Sequence, residues 1–348
     1  MSSARPNPLG LHGFAFVEFS SPDPAKMAAQ LEQCGFTPAA RKADKGLTLY
    51  RQGRIRIVLN AGEGLAKAFR EVHGPSACGM GFMVADAAQA YEAVLAQGAV
   101  AADAAQTALP GAKSIEGIGG STLYLIDNDP FADWEEIPGW RDAETRNSVG
   151  LDLLDHLTHN VGRGRMRDWS TFYSKLFGFE EQRYFDIKGQ ATGLFSQAMI
   201  APDRQIRIPL NESQDENSQI EEYLREYNGE GIQHIAFATA NIFDTVEKLR
   251  ARGVKLQDTI ETYYDLVDKR VPGHGEDLER MKKNRILIDG SLQDGILLQI
   301  FSENLFGPIF FEFIQRKGNE SFGEGNFQAL FESIELDQIR RGIIKVDA

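Results

Sequence analysis

One arrangement of hydrophobic and polar positions occurs twice in this chain. Residues 78–99 and 233–254 each give a short apolar strand, a polar turn, an amphipathic helix and a glycine. The strand phenylalanine precedes that glycine by 16 residues in both segments, from Phe82 to Gly98 and from Phe237 to Gly253. Periods of 2 followed by 3.6 are typical of a strand that leads into a surface helix. The sequence therefore predicts two related strand–helix units.

A second pair of segments repeats the arrangement. Helix candidates at 25–36 and 168–179 follow strand candidates at 13–19 and 155–161, which brings the count to four units in two similar halves. Alternating runs then follow the helices, at 47–60, 193–211 and 285–303. The last two indicate hairpins, with turns at Pro202-Asp203 and between Gly290 and Gly295.

A strand, a helix and a three-stranded meander is the βαβββ order of the vicinal oxygen chelate architecture. We therefore expect an α+β fold in which each half pairs two such units into a half-open barrel. The segment 127–150 is rich in Pro, Asp, Glu and Asn and lacks an apolar period, so it indicates a linker. We place an N-terminal domain without metal at 1–130, a linker at 131–150 and a catalytic domain at 151–348. This architecture hosts several activities, so it does not by itself fix the function.

Composition and charge limit the kinds of molecule that the chain is expected to bind. The chain has 348 residues, with 50 acidic against 37 basic side chains and a net charge of -13. Nucleic acids and anionic membranes favour basic surfaces, so neither is expected as a partner. The N-terminus has no apolar leader and no run approaches 18 apolar residues, so we expect no membrane span and a cytoplasmic location. Cys34 and Cys78 are expected to be buried thiols.

Two histidines and one glutamate are candidates for a metal site. His156 and His234 lie in the first strands of the third and fourth units, at related positions. Glu312 is the only carboxylate in the apolar run 308–316. A carboxylate buried among phenylalanines is costly unless a cation compensates it, and a divalent metal would do so. The alternative is an ion pair with an arginine such as Arg316.

Two imidazoles and one carboxylate form the facial triad of Fe(II) oxygenases, although the same set also suits Zn or Mn. Strand alternation places His156, Thr158 and Asn160 on one face and His159 on the other. Only one of the two histidines can face the metal, and alternation alone does not say which.

The choice between His156 and His159 follows from longer motifs, which resemble those of a known family. The segments DHLTHNV, EGIQHIAF, FFEFIQR and FGEGNFQALFESIE, with others along nearly the whole chain, resemble the 4-hydroxyphenylpyruvate dioxygenase family. The resemblance implies that His156, His234 and Glu312 bind Fe(II), and that His159 faces the core. It implies oxidation of 4-hydroxyphenylpyruvate by O2 to homogentisate and CO2, through oxidative decarboxylation, ring hydroxylation and side-chain migration. Bacterial members are often tetramers, so a homo-oligomer, a tetramer or a dimer, is expected.

The resemblance also implies a set of residues around the substrate. As substrate contacts it suggests Ser196, Asn211, Gln219, Gln233, Gln299, Phe301, Phe322 and Phe327. The five assigned to catalysis are Gln233, Asn211, Gln299, Phe301 and Phe327. Without the resemblance, the amides would be taken as surface or capping groups and the phenylalanines as plain core.

The front half lacks an equivalent metal site. Alignment of the halves places Gly79 opposite His234 and Leu125 opposite Glu312, and places His12 within one residue of the counterpart of His156. The front half is therefore expected to serve as scaffold and oligomer interface. The loop histidines His73 and His274 are expected at the surface or in capping positions.

Two rival functions remain. 4-Hydroxymandelate synthase shares the fold, the iron and the substrate, but Asn211 and Phe301 match the ring-hydroxylating family. A non-catalytic binding protein of the same architecture has no need of three convergent ligands.

The C-terminal segment 323–343 predicts a helix. Asn326 is a candidate N-cap, and an apolar stripe recurs at helical spacing in Phe327, Leu330, Phe331 and Ile334. The helix is either a terminal helix docked on the core or a lid that excludes water from the metal, with Phe327 over the substrate ring.

Overall fold

Two eight-stranded β-sheets, one in each half of the chain, form the framework of the protein. The computed structural model describes residues 6–188, 193–259, 261–323, 325–326, 338–339 and 341–343. The front sheet contains β1 (Phe14–Ser20), β2 (Thr37–Lys42), β3 (Leu47–Gln52), β4 (Ile55–Asn60), β5 (Ser76–Met83), β6 (Lys113–Glu116), β7 (Thr122–Ile126) and β8 (Glu135–Glu136). The back sheet contains β9 (Leu151–Val161), β10 (Glu180–Lys188), β11 (Gly193–Ile200), β12 (Arg207–Ser213), β13 (Gly231–Thr239), β14 (Leu287–Ser291), β15 (Gly295–Phe301) and β16 (Phe310–Lys317).

The strand order is the same in both sheets apart from one extra strand at an edge of each, β8 in the front sheet and β14 in the back sheet. The front order is β6-β7-β5-β1-β4-β3-β2-β8 and the back order is β10-β11-β12-β9-β13-β16-β15-β14. The first strands of two units lie antiparallel at the centre of each sheet, and each pairs in parallel with the last strand of its own unit. The predicted α+β fold of paired βαβββ units is confirmed, as are both predicted hairpins.

The second unit departs from the predicted pattern. Its helix is followed by β6 and β7 alone, and an isolated bridge between Ala101 and Ile115 stands where the unit would have its further strand. The predicted three-stranded meander therefore holds for three of the four units within the described residues.

Helices follow the first strand of every unit. The helices are α1 (Pro24–Gln33), α2 (Leu65–His73), α3 (Ala87–Ala96), α4 (Trp140–Asn147), α5 (Met166–Phe177), α6 (Gln219–Tyr227), α7 (Ile242–Ala251), α8 (Thr262–Asp265), α9 (Val267–Arg270) and α10 (Leu278–Asn284). Asp23, Asp86 and Asn241 cap α1, α3 and α7 through their side chains. The repeated glycines, Gly98 and Gly253, have φ of +97° and +79°, which explains why both helices end at this residue type. None of the described helices is long and apolar enough to cross a membrane.

The connection between the halves is more ordered than its composition indicated. Strand β8 pairs with β2 at the edge of the front sheet, and α4 packs on the same strand. Trp134 and Trp140 are buried there. The composition, rich in Pro and Asp, did not predict these elements, because only a few aromatic residues in the segment are buried against the front sheet.

One large hydrophobic cluster extends through both halves. Phe36 contacts Phe237 with ring centroids 5.4 Å apart, and Phe82 contacts Phe177 at 5.3 Å. Both cysteines are buried free thiols, as predicted. His73 is half-buried rather than superficial, because its ring stacks on Tyr227 of the other half.

Candidate metal centre

Three buried side chains converge on the inner face of the back sheet. His156 on β9, His234 on β13 and Glu312 on β16 are each 2–3% exposed. Their strands are adjacent, and Ala236 between them pairs with both His156 and Glu312. The Nε2 atoms of His156 and His234 lie 3.1 and 3.4 Å from Oε2 of Glu312. The three residues form the only cluster of potential metal ligands found in the described part of the chain.

A β-bulge precedes each histidine. The pairing of β9 with β13 shifts register at three points, and two of these shifts leave Gln233 and Asp155 as extra residues. A bulge re-aims neighbouring side chains, so each bulged residue reaches the histidine that follows it. Asp155 Oδ1 accepts a hydrogen bond from Nδ1 of His156 at 2.8 Å, and Gln233 Oε1 lies 2.9 Å from Nδ1 of His234. In the neutral tautomer that donates from Nδ1 to these oxygens, the Nε2 lone pair of each imidazole faces Glu312.

The electrostatics of the cluster favour a positive charge between its three side chains. Burial raises the pKa of Glu312, but the His156 and His234 imidazoles outweigh burial and bring it to about 2. Burial lowers the pKa of His156, but Glu312 and Asp155 reverse this and the net shift is upward. Burial lowers the pKa of His234. An ionised carboxylate thus faces two buried nitrogen atoms that need a shared positive charge.

A divalent metal fits this arrangement. Two ligand atoms about 2.1 Å from a metal, at a right angle, lie about 3.0 Å apart. The observed distances of 3.1 and 3.4 Å are close to that value, and all the ligand atoms lie within 4.8 Å of one another. Three ligands in this arrangement would leave adjacent coordination positions of a metal open.

A chain of amide hydrogen bonds holds the carboxylate. Gln299 Nε2 donates to Oε1 of Glu312 at 2.8 Å, which leaves Oε2 for the metal. Asn326 Nδ2 donates to Oε1 of Gln299 at 3.0 Å, and Tyr263 donates its hydroxyl to Asn326 Oδ1 at 2.7 Å. The side chain of Asn326, predicted as a helix cap, therefore connects the C-terminal segment to Glu312, a candidate metal ligand. The rest of the predicted lid, including Phe327, lies outside the described residues except 338–339 and 341–343.

Polar atoms without partners line the inner face beside the metal ligands. Ser196 pairs in register with Asn211, and Asn211 pairs with Asn160. Within the described residues, Ser196 Oγ, Asn211 Oδ1, both amide atoms of Asn160 and Thr158 Oγ1 are buried without a hydrogen-bond partner. Buried polar groups are normally paired, so this row indicates a site for a polar ligand.

The remaining predicted residues divide into two groups. Phe322 makes an edge contact with His156 at 5.4 Å, and Phe301 lies 6.3 Å from His234, so both rings border the cluster. Gln219 begins α6 and is half-buried, and no described hydrogen bond joins it to the cluster.

His159 lies on the opposite face, where its Nε2 is 2.7 Å from the Tyr173 hydroxyl. Burial lowers the pKa of His159 to about 3. His274 accepts a hydrogen bond from the Glu276 backbone, a capping role as expected.

Residues that sequence reasoning missed surround the ligands. Arg316 pairs with Asp155 through two hydrogen bonds of 2.8 Å, so it is not the partner of Glu312 that was considered as the alternative to a metal. Asn160 was assigned to the correct face without a role. The alternation in DHLTHN already placed Asn160 on the same face as His156. The bulge at Asp155, in contrast, has no signature in the sequence.

The front half keeps the bulges but has lost the ligands. Its strands shift register at Ala15 and Cys78, the counterparts of Asp155 and Gln233. At the equivalent positions of the front strands, Phe16 stands in place of His156, Gly79 in place of His234 and Tyr124 in place of Glu312. The expectation for Gly79 is confirmed.

The expectations for the other two counterparts are wrong. The counterpart of Glu312 is Tyr124, one residue before Leu125. The connection from the aligned glycine to this strand position is one residue shorter in the front half than in the back half. His12 precedes β1 and is exposed. The Phe16 ring packs on Tyr124 at 5.2 Å, so aromatic side chains fill the front barrel where the back barrel holds its ligands.

Comparisons with known proteins agree with this geometry. Residues 6–137 match the family model "Hydroxyphenylpyruvate dioxygenase, HPPD, N-terminal", and residues 153–266 match the "Glyoxalase/Bleomycin resistance protein/Dioxygenase superfamily". The chain is 55% identical over 353 residues to 4-hydroxyphenylpyruvate dioxygenase of Pseudomonas aeruginosa, covering 97% of each chain. It is 50% identical over 344 residues to that of Legionella pneumophila, covering 97% of this chain and 98% of the relative. A solved triple mutant of 4-hydroxymandelate synthase from Streptomyces coelicolor superposes with a TM-score of 0.83 at 26% identity, covering 94% of this chain and 99% of that one.

Proposed function

Because this chain belongs to the 4-hydroxyphenylpyruvate dioxygenase family, we propose that its substrate is 4-hydroxyphenylpyruvate and that its metal is Fe(II). The products are homogentisate and CO2. One observation carries the proposal: two imidazole Nε2 atoms and one carboxylate oxygen converge in a buried site, at 3.1 and 3.4 Å. That donor set suits a non-haem Fe(II) oxygenase and leaves room for both a 2-oxo acid and O2.

Each side chain of the cluster has a defined task. His156, His234 and Glu312 would hold the metal through Nε2, Nε2 and Oε2, and Asp155 and Gln233 would fix the tautomer of the two imidazoles. When bound, Fe(II) supplies a chelation point for the 2-oxo acid and the activation of O2. The substrate provides its own 2-oxo acid, so no second organic acid is needed.

The unpartnered polar row supports a binding role for the part of the substrate that lies away from the metal. Asn160 is four residues beyond His156 on β9, about 13 Å along the strand. Together with Asn211 and Ser196 it offers donors and acceptors that a phenol or a carboxylate can satisfy. Phe301 and Phe322 border the ligands and would contact the aromatic ring.

We further propose that catalysis belongs to residues 151–348, since all three ligands lie there, and that 1–130 act as scaffold and oligomer surface. The supporting observation is the front barrel, whose counterpart positions carry Phe16, Gly79 and Tyr124. None of these side chains forms a set of ligands for a divalent metal.

The test is O2 uptake by the purified chain with Fe(II) and 4-hydroxyphenylpyruvate, followed by chromatography of the product. Homogentisate, formed in equal amount to the O2 consumed, is the expected result. A dominant 4-hydroxymandelate peak would replace the proposal with the synthase, whose fold is similar to this one. Substrate binding without O2 uptake would indicate a non-catalytic binding protein.

A further inference from the structure

Asp155 is shared between a metal ligand and an arginine. Its Oδ1 accepts hydrogen bonds from His156 Nδ1 and from Arg316 Nη2, both at 2.8 Å, and its Oδ2 accepts from Arg316 Nε at 2.8 Å. The side chains of Asp155 and Arg316 are 3% and 13% exposed, so water competes little for these contacts. Two parallel hydrogen bonds fix the plane of the carboxylate. The orientation of the His156 ring therefore depends on where Arg316 holds Asp155.

The same guanidinium also holds the turn that follows β16. Its Nη1 donates to the backbone carbonyls of Asn319, at 3.2 Å, and of Ser321. The next residue, Phe322, is 2% exposed. The Phe322 ring lies 5.4 Å from the His156 ring, and its centroid is 5.9 Å from the Arg316 guanidinium carbon. The turn at 318–322 thus rests on the metal ligand and on the arginine that orients it.

We propose that Arg316 is a positioning residue that couples the metal ligand His156 to the turn 318–322, so that metal binding and the order of the turn depend on each other. This inference rests on the metal site of the proposed function, and on no particular substrate. Its physical basis is the fork of the guanidinium, which directs Nε and Nη2 to Asp155 and Nη1 to the turn. A lysine keeps the charge but concentrates its donors at one point, so it cannot hold both sites.

The coupling gives the chain a means of linking its metal site to its C-terminal end. The turn leads directly into the segment that carries Asn326, which bonds to Gln299 and through it to Glu312. Two ligands on different strands, His156 and Glu312, are therefore tied to residues between 319 and 326. Loss of order in this stretch would release both ligands from their partners at once.

The experiment compares the natural chain with R316K, using Co(II) as the probe. The matched control is R280K, because Arg280 also bonds a carboxylate through Nε and Nη2, at 2.8 and 2.9 Å to Glu247, but lies outside the cluster. Three quantities are measured: the Co(II) dissociation constant, the visible spectrum of the bound Co(II), and amide hydrogen exchange at 318–323 with and without Co(II).

We expect Co(II) to slow exchange at 318–323 in the natural chain. R316K should bind Co(II) about 10- to 100-fold more weakly, with an altered spectrum, and should lose most of that protection. R280K should match the natural chain. An R316K variant with the same Co(II) affinity and the same protection of 318–323 as the natural chain would overturn the proposal. Weaker Co(II) affinity with the protection intact would overturn it too, since Arg316 would then orient His156 without holding the turn.

Two further results remain decisive. If R316K does not fold, exchange in the natural chain still tests the coupling, because Co(II) must slow 318–323 more than the hairpin turn at 291–295. If the natural chain binds no Co(II), the metal site itself is refuted, and this inference with it. Binding by the natural chain with no change in R316K refutes the coupling alone.

Discussion

His156 and His159 are three residues apart on β9 and point to opposite faces, so alanine substitutions at these two positions should have opposite effects. In H156A the cluster loses a proposed ligand atom, the Nε2 that lies 3.1 Å from Glu312 Oε2. Loss of an outer partner alone typically weakens metal binding about 10- to 100-fold, and loss of a ligand exceeds that. Metal content should fall from one ion per chain towards none, and turnover should cease.

H159A should instead keep its metal and lose stability. The substitution removes a fully buried ring and leaves the Tyr173 hydroxyl, 2.7 Å from His159 Nε2, without its partner. The expected loss is about 3–5 kcal/mol, the range for deleting a large buried ring. H159F keeps an aromatic ring, although a larger one, and removes the hydrogen bond, so its loss should be about 1–3 kcal/mol.

Metal analysis by mass spectrometry and urea unfolding of both alanine variants measure these effects. The natural chain and H159F serve as controls for folding and for side-chain volume. Metal retained in H156A and lost in H159A would show that the assignment of the two faces is reversed, and the argument from the bulge would fail with it.

Three further predictions test other parts of the structure. Burial raises the pKa of Glu18 above its ordinary value of 4.5, so the folded chain holds the Glu18 proton more tightly than the unfolded chain does. The free energy of unfolding that this protonated carboxyl contributes is therefore lost as pH rises. E18Q should match the natural chain below pH 4.5 and become progressively more stable above it in urea unfolding, whereas a constant difference would refute the assignment. N160L should raise KM about 10-fold, the equivalent of one hydrogen bond, without changing metal content, and an unchanged KM in O2-uptake kinetics would remove Asn160 from the pocket. Removal of residues 327–348 should leave Fe(II) binding largely intact while turnover falls, and normal product formation would exclude a lid.

Much of the fold could be predicted because it depends on periodic residues. The repeated spacing of Phe82 from Gly98 and of Phe237 from Gly253 identified the units, and glycines with positive φ explain the repeat. The alternation around Glu312 identified the strand face correctly. These signals are local, so a single sequence contains them in full.

The parts that could not be predicted depend on contacts between distant residues. Asp155 and Arg316 are 161 residues apart, and their pairing follows from a register shift that leaves no mark on the hydrophobic pattern. The counterpart of Glu312 was misplaced by one residue because the front half has a shorter connection before β7. The order in α4 depends on contacts of Trp140, whose indole donates to Glu136 and lies beneath the distant Arg51 guanidinium.

The shared core between the halves carries a thermodynamic consequence for the whole chain. Phe36 and Phe82 in the front half pack on Phe237 and Phe177 in the back half, so separation would expose aromatic surface on both sides. The halves should therefore melt together in one calorimetric transition. A ligand that binds only the folded state stabilises every part that unfolds with its site. Loading the back barrel with metal should therefore raise the melting temperature of the front barrel as well.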